Sequence, residues 1–123
     1  MKPKRKPAIW TQLPQYRKRS LKSQRRLQRL RDKRQYTNMA HEFITDALID
    51  IHRQWCPVAR IIFLEHIRVS ETHHIRGRAG KLLLDKRFWM AVSHKGHRYI
   101  HDHPKSARLY HWIAEPGDWN KQP

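Results

Sequence analysis

The basic residues of this 123-residue chain are concentrated at its N-terminal end. Of the 27 Lys and Arg residues, 14 lie within residues 1–36, together with a single acid, Asp32. Residues 37–123 carry the other 13 and nine acids, so +13 of the net charge of +17 belongs to the first 36 residues. The sequence therefore predicts a basic arm over residues 1–36 and a less charged domain over residues 37–123.

The arm has two predicted parts. Three prolines disfavour a continuous helix before about Tyr16, which predicts an extended, flexible leader. Residues 20–34 contain no Gly or Pro and predict a basic helix, whose apolar residues are too sparse for a core-facing stripe. Those apolar residues are Leu21, Leu27 and Leu30.

A pI near 11.0 with clustered Lys and Arg is typical of a protein that binds a polyanion. DNA is the first partner to expect and RNA is possible, with Arg25, Arg26 and Arg29 as candidate phosphate contacts. Charge alone does not separate nucleic acid from an anionic membrane surface or a ribosome, or from a solvated tail without a specific partner.

Cys56 is the only cysteine, so the chain has no internal disulfide partner for it and no pair of cysteines for a structural zinc site. No run of about 18 apolar residues is present, and the basic N-terminus lacks the apolar stretch of a secretory signal. We therefore expect no membrane span and a cytoplasmic protein.

The domain begins with a predicted amphipathic helix, capped at Thr37 or Asn38 and ended by Cys56-Pro57. Residues 61–69 are rich in β-branched and apolar side chains, which predicts one or two short strands that end near His73. The predicted core-facing positions of the helix are Met39, Phe43, Ala47 and Ile51.

Residues 76–87 contain two of the four glycines and predict a loop, followed by a strand over residues 88–92. Ser93 is a suitable cap for a short helix that ends near Asp102. Pro104 suits the first position of another helix, which we expect to end near Trp112.

All ten histidines lie between His41 and His111. His97 and His101 are four residues apart, so a helix would turn both imidazoles toward one ion. His73 would complete a three-nitrogen site if its strand lies beside that helix. His74, the next residue in the strand, would then point to the opposite side or be redirected by a bulge near Gly77.

These motifs resemble the HNH nucleases, whose fold is a ββα-metal hairpin and helix. They are also similar to small HNH-type proteins encoded by phages and prophages, and the resemblance is strongest over residues 71–120. The predicted class is therefore α+β. The matching segments are His73-His74-Ile75, Arg76-Gly77-Arg78, Phe88-Trp89-Met90-Ala91-Val92 and Gly96-His97-Arg98-Tyr99-Ile100-His101.

The resemblance implies a metal-dependent DNA endonuclease or nickase in a bacterial or phage-infected cell. His73, His97 and His101 match the ligands of one divalent ion, for which imidazoles favour Zn, Mn or Ni over Mg. His74 matches the general base. The loop cations Arg76, Arg78 and Lys81 are expected to hold the phosphate, with Arg76 close to the chemistry.

Two departures from the family pattern leave other functions open. Phe88 stands where the family has an Asn that orients the base, and Asp85 is the neighbouring substitute. The paired Cys-xx-Cys zinc knuckles are reduced to Cys56-Pro-Val-Ala59 and Ser93-His-Lys-Gly96. The alternatives are a catalytically weakened nucleic-acid-binding module and a structural or packaging accessory protein on the same fold.

Overall fold

A computed structural model describes residues 14–121, with side chains described from Ser20 onward. The chain divides into two units, with the boundary between Arg34 and Gln35. Helices are combined with a two-stranded antiparallel sheet, which is a small α+β arrangement. In this part of the chain no helix is both long enough and apolar enough to cross a membrane.

The first element is a single helix, α1, over Pro14–Leu48. An extended leader is predicted through about Tyr16. Residues 1–13 of it lie outside the described residues, and over residues 14–16 the prediction is wrong because α1 has already begun. The separate helix predicted to start at Thr37 or Asn38 is also wrong, because α1 continues through both residues. No Gly or Pro interrupts positions 15–48, and strong helix formers dominate the segment, so capping residues alone do not stop it.

Helix α1 ends eight residues before the predicted end at Cys56. The Asp50 carboxylate accepts hydrogen bonds from the backbone N–H groups of His52 and Arg53, both at 2.9 Å. Aspartate commonly competes with the helix in this way, because its short side chain bonds to nearby backbone groups. As a result Ile51, predicted to face the core, lies beyond the helix and is 76% exposed.

In the first unit the described part of α1 presents its side chains to solvent, as the sparse apolar pattern predicts. Its three leucines are each about half exposed, and its arginines are exposed. In the second unit Ala47 is fully buried, and the Phe43 ring meets Trp89 edge to face at 5.4 Å.

No strand forms over residues 61–69 apart from an isolated bridge between Arg68 and Trp55, so that part of the prediction is wrong, whereas a strand does end next to His73. A π-helical segment occupies Ala59–Phe63 and ends at Leu64, whose φ of 54° is left-handed. Cys56-Pro57 lies just before this segment, and the backbone N–H of Ala59 donates to the Cys56 Sγ at 3.4 Å.

The sheet is a hairpin of β1, Glu71–His74, and β2, Trp89–Val92. Glu71 lies opposite Val92 and His74 lies opposite Trp89, in regular antiparallel register. The connection, predicted as a loop, contains two short 3₁₀ segments, Gly80–Leu84 and Lys86–Phe88.

Helix α2 follows directly over His94–Asp102, and the Ser93 hydroxyl caps it by accepting from the Gly96 N–H at 3.1 Å. The prediction for this helix and its cap is confirmed. Helix α3 runs over Pro104–Leu109 with proline in the first turn, and it ends three residues before Trp112. Trp112 is nevertheless buried, at 6% exposure.

The four positions where the resemblance places the ends of the zinc knuckles are all buried: Cys56, Ala59, Ser93 and Gly96. A Cβ built at Gly96 would lie 2.6 Å from the Cys56 Sγ, so these small residues are in close contact. Packing therefore joins the residues just before the π-helical segment to the start of α2. Other members of the core are Ala47, Val58, Val69, Val92, Ile100, Ala107 and Trp112.

Candidate metal centre

Three histidines converge where the hairpin meets α2. His73 comes from β1, and His97 and His101 lie one turn apart on α2. Each offers one ring nitrogen, and these three nitrogens lie within 4.8 Å of one another. His73 is buried, His97 is half-buried and His101 is exposed, so the cluster opens to solvent on one side. The predicted convergence of these side chains is confirmed.

Hydrogen bonds select the free nitrogen on two of these rings. His73 Nε2 lies 2.7 Å from the carbonyl oxygen of Trp112, which can only accept, so Nε2 carries the proton and Nδ1 keeps a lone pair. His97 Nδ1 lies 2.7 Å from a Glu71 carboxylate oxygen and donates to it, which leaves the lone pair on Nε2. Metal ligands are commonly fixed by such second hydrogen bonds.

The donor set fits a divalent metal ion. His97 Nε2 and His101 Nε2 are 3.0 Å apart, close to the separation of about 3.3 Å between two nitrogens on one tetrahedral Zn²⁺. Burial lowers the pKa of His73 to about 4, and burial followed by repulsion from His97 lowers the pKa of His101. Both rings are therefore neutral at pH 7, as metal binding requires.

Glu71 supports the cluster from outside and is not among the predicted site residues. Its two carboxylate oxygens accept from His97 Nδ1 and from His94 Nδ1, each at 2.7 Å. Burial raises the pKa of the Glu71 carboxyl, but these hydrogen bonds outweigh that effect and the net pKa is lowered. The sequence could have indicated this role. Residues two apart in a strand share a face, and Glu71 precedes His73 by two residues.

We expect Glu71→Gln to reduce the affinity for Zn²⁺ about 10- to 100-fold, because the amide has one acceptor oxygen where the carboxylate has two. Competition with a chromogenic chelator measures this affinity. His94→Ala is the matched control, since it removes the other partner of Glu71 and leaves the bond to His97. Equal losses in both variants would contradict a specific role for the Glu71–His97 bond.

Acid is expected to destabilise the metal-free protein through His73. Its pKa of about 4 in the folded state lies below the ordinary 6.5, so the unfolded chain binds more protons between these values. The contribution of His73 to the free energy of unfolding is fully present above pH 6.5. It falls by about 3 kcal/mol as the pH drops toward 4, because each unit of pKa difference corresponds to 1.36 kcal/mol. Urea unfolding with chelator at pH 7 and 4.5 tests this. An unchanged midpoint, or the same drop in His73→Gln, would contradict it.

His74 lies beside the cluster and is held by a backbone group. Its Nε2 donates to the Leu83 carbonyl at 3.2 Å, which leaves the Nδ1 lone pair available. Burial, followed by the nearby charges of Arg78 and His97, lowers the pKa of His74 against the opposing effect of the Leu83 bond. The ring packs against Tyr36 and Trp89 at centroid distances of 5.3 and 5.5 Å. The strand register is regular, so no bulge redirects it.

A cleft of about 160 Å³ contains these groups. His73, His74, His97 and His101 all line it, together with Thr72, Gly77, Arg78 and Trp119. The Arg78 guanidinium lies 4.8 Å above the Tyr36 ring. Arg78 is exposed and brings a positive charge to the cleft, so an anion can reach both the charge and the histidines.

The other predicted loop residues lie elsewhere. Arg76 donates twice to the Lys121 carbonyl, at 3.1 and 2.9 Å, and covers the Phe88 ring, so its guanidinium is engaged outside the cleft lining. Asp85 caps Lys86–Phe88 and pairs with Arg87 at 2.7 Å, so it does not orient His74. Lys81 is exposed on Gly80–Leu84 and is not among the residues that line the cleft.

Comparisons of the chain with protein-family models, with curated proteins and with solved structures give no match.

Proposed function

We propose that this protein is a metal-dependent nuclease of the HNH type that hydrolyses phosphodiester bonds in DNA. One observation carries the proposal: a neutral histidine with a free ring nitrogen shares a cleft with three histidines suited to one ion. The order of the elements supports it, because β1, β2 and α2 form a hairpin and helix that carry all four histidines. A ββα-metal core is therefore part of the proposal.

His73 Nδ1, His97 Nε2 and His101 Nε2 would hold the ion. Three imidazoles suit Zn, Mn or Ni better than Mg, which prefers oxygen ligands. When bound, such an ion acts as a Lewis acid that stabilises negative charge on a phosphate and on the leaving oxygen. The residues around it fix which nitrogens face the ion: the Trp112 carbonyl for His73 and the Glu71 carboxylate for His97.

His74 is the proposed general base. A neutral imidazole with its Nε2 proton on the Leu83 carbonyl can take a proton from water at Nδ1. The Leu83 carbonyl thereby orients His74, which is the role of the Asn side chain in the family. Phe88 in place of that Asn therefore does not by itself prevent His74 from acting as the base. Because its pKa is lowered, His74 is ready to accept a proton at neutral pH.

Arg78 is the proposed phosphate contact within the cleft. Its charge lies close enough to His74 to lower the pKa of that ring, so a phosphate that pairs with Arg78 also lies near the base. Lys81 is exposed on the same connection and is available to a neighbouring phosphate. Arg76 is left out, because it does not line the cleft and its Nε and Nη2 donate to the Lys121 carbonyl.

The basic arm is proposed to add affinity without reading sequence. Replacing Arg25, Arg26 and Arg29 together with Gln removes three exposed cations and is expected to weaken duplex binding at low salt. The slope of log affinity against log salt should become shallower by up to about 2.7, at 0.9 per phosphate contact. Fluorescence anisotropy over a salt series measures this. An unchanged slope would mean that these arginines contact no phosphate.

Plasmid nicking tests the proposed activity. Supercoiled DNA is incubated with the protein in Mn²⁺, Zn²⁺, Ni²⁺ or Mg²⁺, and in chelator. We expect nicked or linear product with one of the first three ions and none in chelator. Intact plasmid under every condition would reject the nuclease. Metal-dependent folding without cleavage would then favour a nucleic-acid-binding or structural protein on this scaffold.

A further inference from the structure

A second cavity adjoins the cleft of the candidate metal centre. Its volume is about 330 Å³, within the range of small-molecule sites. His101 and Trp119 line both this cavity and the cleft, so the two meet at these side chains. We call it the Trp119 cavity.

The walls of the Trp119 cavity are apolar except for His101 and one cation. Apolar side chains of α2, α3 and the following segment form most of the lining: Ile100, Pro104, Ile113 and Pro116. The cation is Arg108, which lines the cavity and is half-buried. A guanidinium carries five N–H donors, so Arg108 can donate to an acceptor atom on a bound ligand.

Trp119 offers an aromatic surface from an anchored segment. Its side chain is 42% exposed, although a large ring in a monomeric domain is usually better covered. The surrounding chain is fixed by backbone hydrogen bonds: Trp119 N–H donates to the Glu115 carbonyl at 3.1 Å, and Asn120 N–H donates to the Arg76 carbonyl at 2.8 Å. The segment is thus anchored while part of the ring remains exposed.

We propose that the Trp119 cavity binds the base of an unpaired nucleotide next to the phosphate held in the cleft, which makes single-stranded or locally unpaired DNA the substrate class. This rests on the proposed nuclease function. A base supplies a flat face for Trp119, apolar contact for the walls and acceptor atoms for Arg108. Bases in a duplex are stacked and paired, so only an unpaired or flipped base can enter.

Binding in chelator tests the cavity without cleavage. Anisotropy compares a labelled single-stranded 12-mer, the same strand with one abasic position, and the duplex. We expect Trp119→Leu, which keeps apolar volume without an aromatic face, to lose about five- to a hundredfold in affinity for the intact single strand. The loss for the duplex should be less than threefold. Trp119→Phe should retain most of the affinity, and Arg108→Gln should show a smaller loss.

Leu109→Ala is the control, because Leu109 is 82% exposed on α3 and does not line the cavity. Thermal unfolding of each variant separates misfolding from lost stacking. If Trp119→Leu does not fold, the affinity of Trp119→Phe for the single strand is compared with that of the wild type instead. If Trp119→Leu and the wild type bind the single strand with equal affinity, the Trp119 cavity does not bind a base, even if the protein cuts plasmid. A selective loss in a protein that never cuts plasmid would support the cavity and reject the nuclease.

Discussion

His74→Ala is expected to lower plasmid cleavage at least a hundredfold while the protein still binds one equivalent of metal. General base catalysis commonly contributes 10²- to 10⁴-fold, and His74 lines the same cleft as the cluster, has an unprotonated Nδ1 and is not one of the three proposed ligands. Cleavage rate and metal content are measured on the same preparation. Added imidazole should restore part of the rate, because the lost ring leaves space in the cleft.

His52→Ala is the control for this variant, since His52 lies outside the cleft lining and is exposed. His74 itself is buried at 7% exposure, so thermal unfolding must show that the variant is folded. His74→Asn, which keeps a polar side chain in the same position, serves if the alanine variant is unstable. A folded variant that cuts within threefold of wild type would show that His74 is not the base.

His97→Ala is expected to abolish both metal binding and cleavage. It removes a proposed ligand and also the ring that Glu71 orients, so the affinity should fall at least a hundredfold, beyond the loss from an outer hydrogen bond alone. In wild type, metal at 100 times its Kd adds about 2.7 kcal/mol of stability, which raises the Tm of a domain this size by about 10 °C or more.

Thermal unfolding with and without Zn²⁺ measures this difference directly. The wild type and His52→Ala should both show the rise in Tm, and His97→Ala should show at most a small fraction of it at the same metal concentration. An undiminished rise in His97→Ala would place the bound metal elsewhere on the chain.

Short-range signals in the sequence predicted the parts of the site that depend on neighbouring residues. Ser93 and Pro104 mark the starts of α2 and α3, and both helices form there. The spacing of His97 and His101 puts both on one turn, and the hairpin brings His73 against that turn. These are the features that spacing and side-chain type determine.

Other parts of the site could not be predicted, because they depend on backbone groups brought together by folding. The carbonyls of Trp112 and Leu83 select the tautomers of His73 and His74, and a carbonyl leaves no mark in the sequence. Glu71 was predictable from its strand position but was overlooked.

Helix boundaries were the weakest predictions. Thr37 and Asn38 look like caps, yet the helix continues because nothing near them breaks it. The apolar run after Pro57 was expected to form strands, but Ala59–Phe63 forms a π-helical segment instead.

The central claim is that His73, His97 and His101 bind one metal ion. A crystal structure of the protein grown with metal tests it most directly, with anomalous scattering recorded at the absorption edge of that metal. We predict one ion within about 2.0 to 2.2 Å of His73 Nδ1, His97 Nε2 and His101 Nε2, with the Trp112 and Glu71 hydrogen bonds intact. An anomalous peak away from these three nitrogens, or no peak in protein shown to contain metal, would contradict the metal centre and the nuclease proposed on it.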